Sequence, residues 1–172
     1  MKKLIMNPVS MAVLGFLSGG IFRFIDYSNP MLEGFSERIM LWMTACVVIT
    51  LCADHPLQSA VLNICFFVPV LPAHYLVWRL LADEYGGYMP TPKDLLVGML
   101  IYLVIIPPYA MLVGRSRCSG FVPWIMRPLI IILPMAATLI FYGLPNVTDL
   151  ISAGIMAYVI FIRKLGRYYN PV

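Results

Sequence analysis

Six predominantly apolar stretches follow one another along this chain, with only short polar breaks between them. They cover residues 8–26, 39–53, 57–81, 95–114, 128–142 and 147–162. A helix crossing the hydrocarbon core of a bilayer needs about 20 mainly apolar residues. The expected fold class is therefore all-α: a polytopic transmembrane helical bundle of six spans, forming a single integral membrane domain over residues 1–172. The second and fifth stretches are the shortest. Phe121–Met126, just ahead of the fifth, either extends that span or lies in the interface with Trp124 as an anchor.

Composition argues against a soluble alternative. Charged residues make up 12% of the chain and hydrophobic residues 61%, whereas a soluble domain carries about a quarter charged residues. Too little polar surface is left to coat a globule in water, so the solvent must be lipid and the expected location is the cell membrane. The net charge of +4 does not point to nucleic acid, because the basic residues are dispersed or sit beside apolar spans. Three of the four cysteines (Cys46, Cys52 and Cys65, but not Cys118) fall inside apolar runs, where a thiol behaves as a small apolar group. No Cys-x-x-Cys pair is present, so neither a disulfide framework nor a metal site is expected. Lys2-Lys3 before an apolar run imitates a signal peptide, but no small-x-small cleavage site stands out and more spans follow. The reading is an uncleaved first helix.

Helix-start chemistry marks several boundaries. Asn7-Pro8 and Thr91-Pro92 each place a capping residue before a proline at the first helical position. Thr91 with Asp94, and Asn146 with Asp149, have capping-box spacing, which reads both acids as N-terminal helix charges. His55 before Pro56 reads as another helix start. With six crossings and an inner N-terminus, Lys2, Lys3, Arg115, Arg117, Arg127, Arg163, Lys164 and Arg167 lie inside. Arg23, Arg38, Arg79 and Lys93 lie outside. That bias places both termini in the cytoplasm. The acids Asp26, Glu33, Glu37, Asp83, Glu84, Asp94 and Asp149 fall outside, leaving Asp54 within.

Against this background a few residues need explaining. Arg23 and Asp26 are three apart and share a helical face at the end of the first span. They read either as an interfacial ion pair or as a charge pair lining an outward cavity. His74 and Trp78 stack four apart in the third span, with Tyr75 and Arg79 beside them. This group is either an interface belt or part of the same outward site. Pro69 and Pro72 in the third span, Pro107 and Pro108 in the fourth and Pro134 in the fifth each remove a backbone donor. Interrupted helices of this kind recur around transporter cavities and also serve as plain kinks. Gly15 and Gly19 form a small-xxx-small face that admits another helix, from this chain or from another subunit.

Enzyme motifs are absent: there is no His-Glu-x-x-His, no Gly-x-Ser-x-Gly and no P-loop. Catalysis and a bound cofactor are not expected. Asn146-Val147-Thr148 fits a glycosylation sequon but lies close to a span. Six spans, inner termini and two longer outer loops make an outline similar to the vitamin-binding subunits of energy-coupling-factor transporters. That similarity lies in size and topology over the whole chain, and no shared motif carries it. It implies a small-molecule substrate, an ATPase module as partner, and Arg23, Asp26, His74, Trp78 and Arg79 as the ligand-binding residues. The other readings are an accessory subunit packed into a larger membrane complex through the glycine face of the first helix, and an intramembrane enzyme.

Overall fold

The computed structural model describes residues 7–29, 34–85, 91–118 and 120–162, the side chains of 82–85 and 162 excepted. Lys2, Lys3, Glu33, Arg163, Lys164 and Arg167 lie outside the described residues, as do the side chains of Asp83 and Glu84. All regular structure among the described residues is helical. The elements are α1 (Pro8–Ser28), a 3₁₀ turn (Phe35–Glu37), α2 (Ile39–Cys52), α3 (Pro56–Tyr85), α4 (Pro92–Arg115), α5 (Phe121–Tyr142) and α6 (Val147–Ala157), which a π-helical turn (Tyr158–Ile162) extends. Four of these helices are long and apolar enough to cross a membrane: α1, the Pro56–Leu81 part of α3, α4 and α5. The other two, α2 and α6, are shorter apolar helices.

The start signals act as the spacing implied. Asn7 caps α1, its side chain accepting from the Ser10 N–H at 2.8 Å. Thr91 and Asp94 close a reciprocal box: the Asp94 carboxylate accepts from the Thr91 N–H at 2.7 Å, and Thr91 Oγ1 accepts from the Asp94 N–H at 3.4 Å. Asn146 and Asp149 form the same box at the start of α6. The fifth span begins earlier than residue 128. Phe121–Met126 is the first part of α5, and Arg127, which resembles a boundary charge, turns its Nε to the Ser116 carbonyl at 3.2 Å.

The chain divides into two compact units, residues 1–37 with 61–107 and residues 38–60 with 108–172. In the first unit, α1 buries a single stripe of Met11, Gly15, Gly19, Arg23 and Asp26, spaced to share one helical face. Its other sides expose Val9, Val13, Phe16, Leu17, Ile21 and Phe24. The buried glycines lie directly on the α3 backbone. A Cβ on Gly15 would come within 2.8 Å of the Phe66 carbonyl carbon, and one on Gly19 within 2.9 Å of Val70 Cα. The two helices are parallel, because advancing four residues along α1 advances the contact four residues along α3. The glycine face is thus taken up inside the chain. Phe67 meets Tyr102 edge-on at 5.6 Å and Gly98 faces Leu71, so α4 runs antiparallel to α3.

In the second unit, α2 is held at both ends by charge. Arg38, just before it, reaches Asp149 of α6 at 3.5 Å. Beyond its C-terminus, Arg117 Nη1 donates to the carbonyls of Thr50 and Ala53 at 3.1 and 2.9 Å, a cation placed where unpaired helix carbonyls gather. Thr50 also accepts from the Ser59 hydroxyl at 2.9 Å, closing the turn into α3.

The helices run on through their prolines: Pro69 and Pro72 lie within α3, Pro107 and Pro108 within α4, and Pro134 within α5. The interruption expected there does not open a gap in any helix. For Pro134 the compensation is visible. A proline leaves the carbonyl four residues earlier without its helical donor, here Ile130. The buried Tyr109 hydroxyl supplies one, donating to the Ile130 carbonyl at 2.6 Å.

Candidate functional site

The ionisable groups of α1 gather in the first unit near the end of that helix. Arg23 is 8% exposed and Asp26 7%, and burying a charge costs several kcal/mol unless it is paired. Partners come from three directions. Arg23 Nη1 donates to Glu37 Oε1 at 2.9 Å and lies 3.8 Å from Asp26 Oδ2. Its Nη2 reaches the Tyr27 hydroxyl at 3.4 Å. The guanidinium carbon sits 4.0 Å from the centre of the Trp78 ring and 4.7 Å from that of Tyr27, so aromatic faces cover the cation. Asp26 in turn accepts from the Ser36 N–H at 3.1 Å and from the Ser36 hydroxyl. The turn Phe35–Glu37 is therefore fastened to α1 by two carboxylates, and Phe35 packs edge-on against Phe22 at 5.8 Å.

Of the residues singled out in the sequence, Arg23, Asp26 and Trp78 come together, and His74 joins through an edge-to-face contact with Trp78 at 6.1 Å. Arg79 does not join them. It is exposed and turns to the Tyr75 hydroxyl at 3.5 Å, one helical step of about 100° away from Trp78. Pro69 and Pro72 precede this group on α3, and Pro107 and Pro108 lie on α4. Sequence reasoning missed Tyr27, Ser36 and Glu37 as members. Tyr27 is four residues after Arg23 and could have been found by helical spacing. Ser36 and Glu37 belong to an irregular turn ten and fourteen residues beyond their partners, where no periodicity points.

Two features define what the cluster can do. The Arg23 side chain is nine-tenths buried, yet its Nε has no hydrogen-bond partner among the described residues. Its closest anionic partner, Glu37, keeps 48% of its side chain exposed, whereas Asp26 keeps 4%. One counter-ion is thus sealed in and the other stands at the surface.

The second unit holds its own buried acid. Asp149 is fully buried, completes the Asn146 capping box, and is reached by Arg38, whose guanidinium lies 5.0 Å from the Tyr142 ring centre. The cap and the ion pair both engage Oδ2, whereas the buried Oδ1 has no hydrogen-bond partner among the described residues. Asp94, exposed, caps α4. No group of three His, Cys, Asp or Glu suited to a metal ion occurs among the described residues.

No known family model, curated protein or solved structure matches the chain.

Proposed function

We propose that this is a six-crossing protein of the cell membrane, with both termini in the cytoplasm. In this reading it binds a small molecule at the Arg23 cluster, as a non-catalytic component of a transport system. The observation that carries it is the Arg23 guanidinium, buried between Trp78 and Tyr27 with one donor unused among the described residues. An ionisable group inside a membrane helix is expensive and marks function by default, and this one is held ready by aromatic faces and a solvent-reaching partner. Trp78 and Tyr27 supply flat surfaces for a ligand, and His74 backs Trp78.

Helix directions support the six crossings. α1 and α3 are parallel, so the chain between Ser28 and Pro56 must return over their common length, and α2 is the helix in that stretch. Contacts from Arg38 to Asp149 and from Thr44 to Ser152 advance together along α2 and α6, making that pair parallel too. Each pair has the sense that an alternating path requires.

Purification in mild detergent followed by mass spectrometry of everything retained tests the reading. A small molecule should accompany the wild-type protein and be lost from Arg23→Lys and Trp78→Leu. Retention undiminished in both folded variants overturns the site. An ATPase module in the same preparation would tie it to energy-coupled transport. The accessory-subunit reading loses its proposed surface, because the Gly15 and Gly19 face is filled by α3.

A further inference from the structure

We infer that the ligand of this cluster carries a carboxylate, and that Glu37 is an internal stand-in for it which leaves when the ligand arrives. The inference rests on the binding role proposed for Arg23. It follows from what a buried guanidinium tolerates. Arg23 cannot be left without an anion, since removing one partner of a buried charge costs more than the pair ever contributed. Nor can it gather a third carboxylate beside Asp26 and Glu37 without severe repulsion. An incoming anion must therefore replace one already there. Asp26 is the wrong one, being almost wholly buried and held by both the backbone N–H and the hydroxyl of Ser36. Glu37 is the right one: its side chain is 48% exposed and can rehydrate as it departs.

The donors point the same way. Glu37 occupies Nη1; among the described residues Nη2 makes the long contact to Tyr27 and Nε–H has no partner. Nε with a neighbouring terminal nitrogen presents the two-pronged edge that a carboxylate matches with paired hydrogen bonds. A ligand carboxylate on that edge satisfies the idle donor and leaves the total charge of the cluster unchanged. A cationic ligand would face the guanidinium itself, and a neutral amide would leave Arg23 needing Glu37. Trp78, its ring centre 4.0 Å from the guanidinium carbon, covers the cation beside that edge.

The test uses the full-length protein in detergent, with 4-fluorobenzoate as probe and the uncharged 4-fluorobenzamide as control, read by line broadening in ¹⁹F NMR. Saturable binding of the benzoate but not the amide is expected. Glu37→Gln should tighten it about threefold to fivefold, the strength of a half-exposed ion pair. Arg23→Lys keeps the charge but removes the fork and should abolish binding. Trp78→Leu provides a second variant should Arg23→Lys not fold, and should weaken binding severalfold. A decanoate competitor separates two sources of the same chemistry, a soluble carboxylate or one borne on an acyl chain, by whether it displaces the probe at lower concentration than benzoate does. Equal binding of amide and benzoate, unchanged affinity in Glu37→Gln, or no saturable binding in either protein overturns the inference. If mass spectrometry instead finds a retained molecule without a carboxylate that still depends on Arg23, the carboxylate assignment fails and the site stands. If nothing retained depends on Arg23, the site itself fails.

Discussion

Glycine at position 15 is there because nothing larger fits. A Cβ would press on the carbonyl carbon and Cα of Phe66 at 2.8 and 3.1 Å, both backbone atoms that no rotamer change can move. Gly20, one residue beyond the packed face, would meet only Val77 Cγ2 at 3.7 Å. The same substitution should therefore act with opposite signs. Gly15→Ala is expected to destabilise by about 1–3 kcal/mol, the usual cost of overpacking. Gly20→Ala should be neutral or stabilise by up to about 1 kcal/mol through helix propensity. Thermal unfolding in detergent reads both, and equal shifts would remove the close α1–α3 contact from the account. Legibility in the sequence divides at this scale. Gly15 and Gly19, like Arg23 and Asp26, were visible because helical spacing puts them on one face before any partner is known. What they touch was not visible: a glycine face fits a neighbouring helix and a second subunit equally well. Glu37 and Ser36 were legible only as loop residues, since their role depends on how a turn folds back over α1.

At the scale of elements, the most exacting arrangement is the one that carries α5 through Pro134. Ile130 loses its helical donor to the proline, and Tyr109 of α4 restores it from outside at 2.6 Å, in a buried setting. Tyr109→Phe should leave that carbonyl unsatisfied, at a cost of about 1–3 kcal/mol. Pro134→Ala returns an N–H to the helix, which can then satisfy Ile130 internally. In that background the cost of Tyr109→Phe should fall below about 1 kcal/mol. A double-mutant cycle on detergent-solubilised protein measures the difference as a coupling energy; strict additivity would mean the hydroxyl and the proline are unrelated. The prolines could be read from the sequence as lost donors, but the donor that replaces one sits 25 residues earlier on another helix, where no local pattern leads. Helix starts were legible at Asn7, Thr91 and Asn146 because the cap is written in adjacent residues. The start of α5 was not, because Pro128 imitates a first-turn proline while Phe121–Met126 is apolar enough for helix or interface alike.

For the whole molecule the deciding element is the short helix α2. At 1.5 Å per residue, the 14 residues of α2 span about 21 Å, against a hydrocarbon core of about 30 Å. Length alone would leave α2 lying in the interface. In the six-crossing reading α2 passes through instead, with the Arg38 and Arg117 guanidiniums at its two ends and the bilayer thinning to match a short span. Single cysteines placed in a cysteine-free background, probed on intact cells with a membrane-impermeant maleimide, decide the matter. Cysteine at Asn29, Thr91 or Gly143 should be labelled from outside. Cysteine at Asp54 or Gly120 should react only after permeabilisation. Labelling of position 54 on intact cells would mean that α2 turns back without crossing. The parallel pairing of α1 with α3 could not then persist in a bilayer, because both helices would have to enter it from the same side with no return between them.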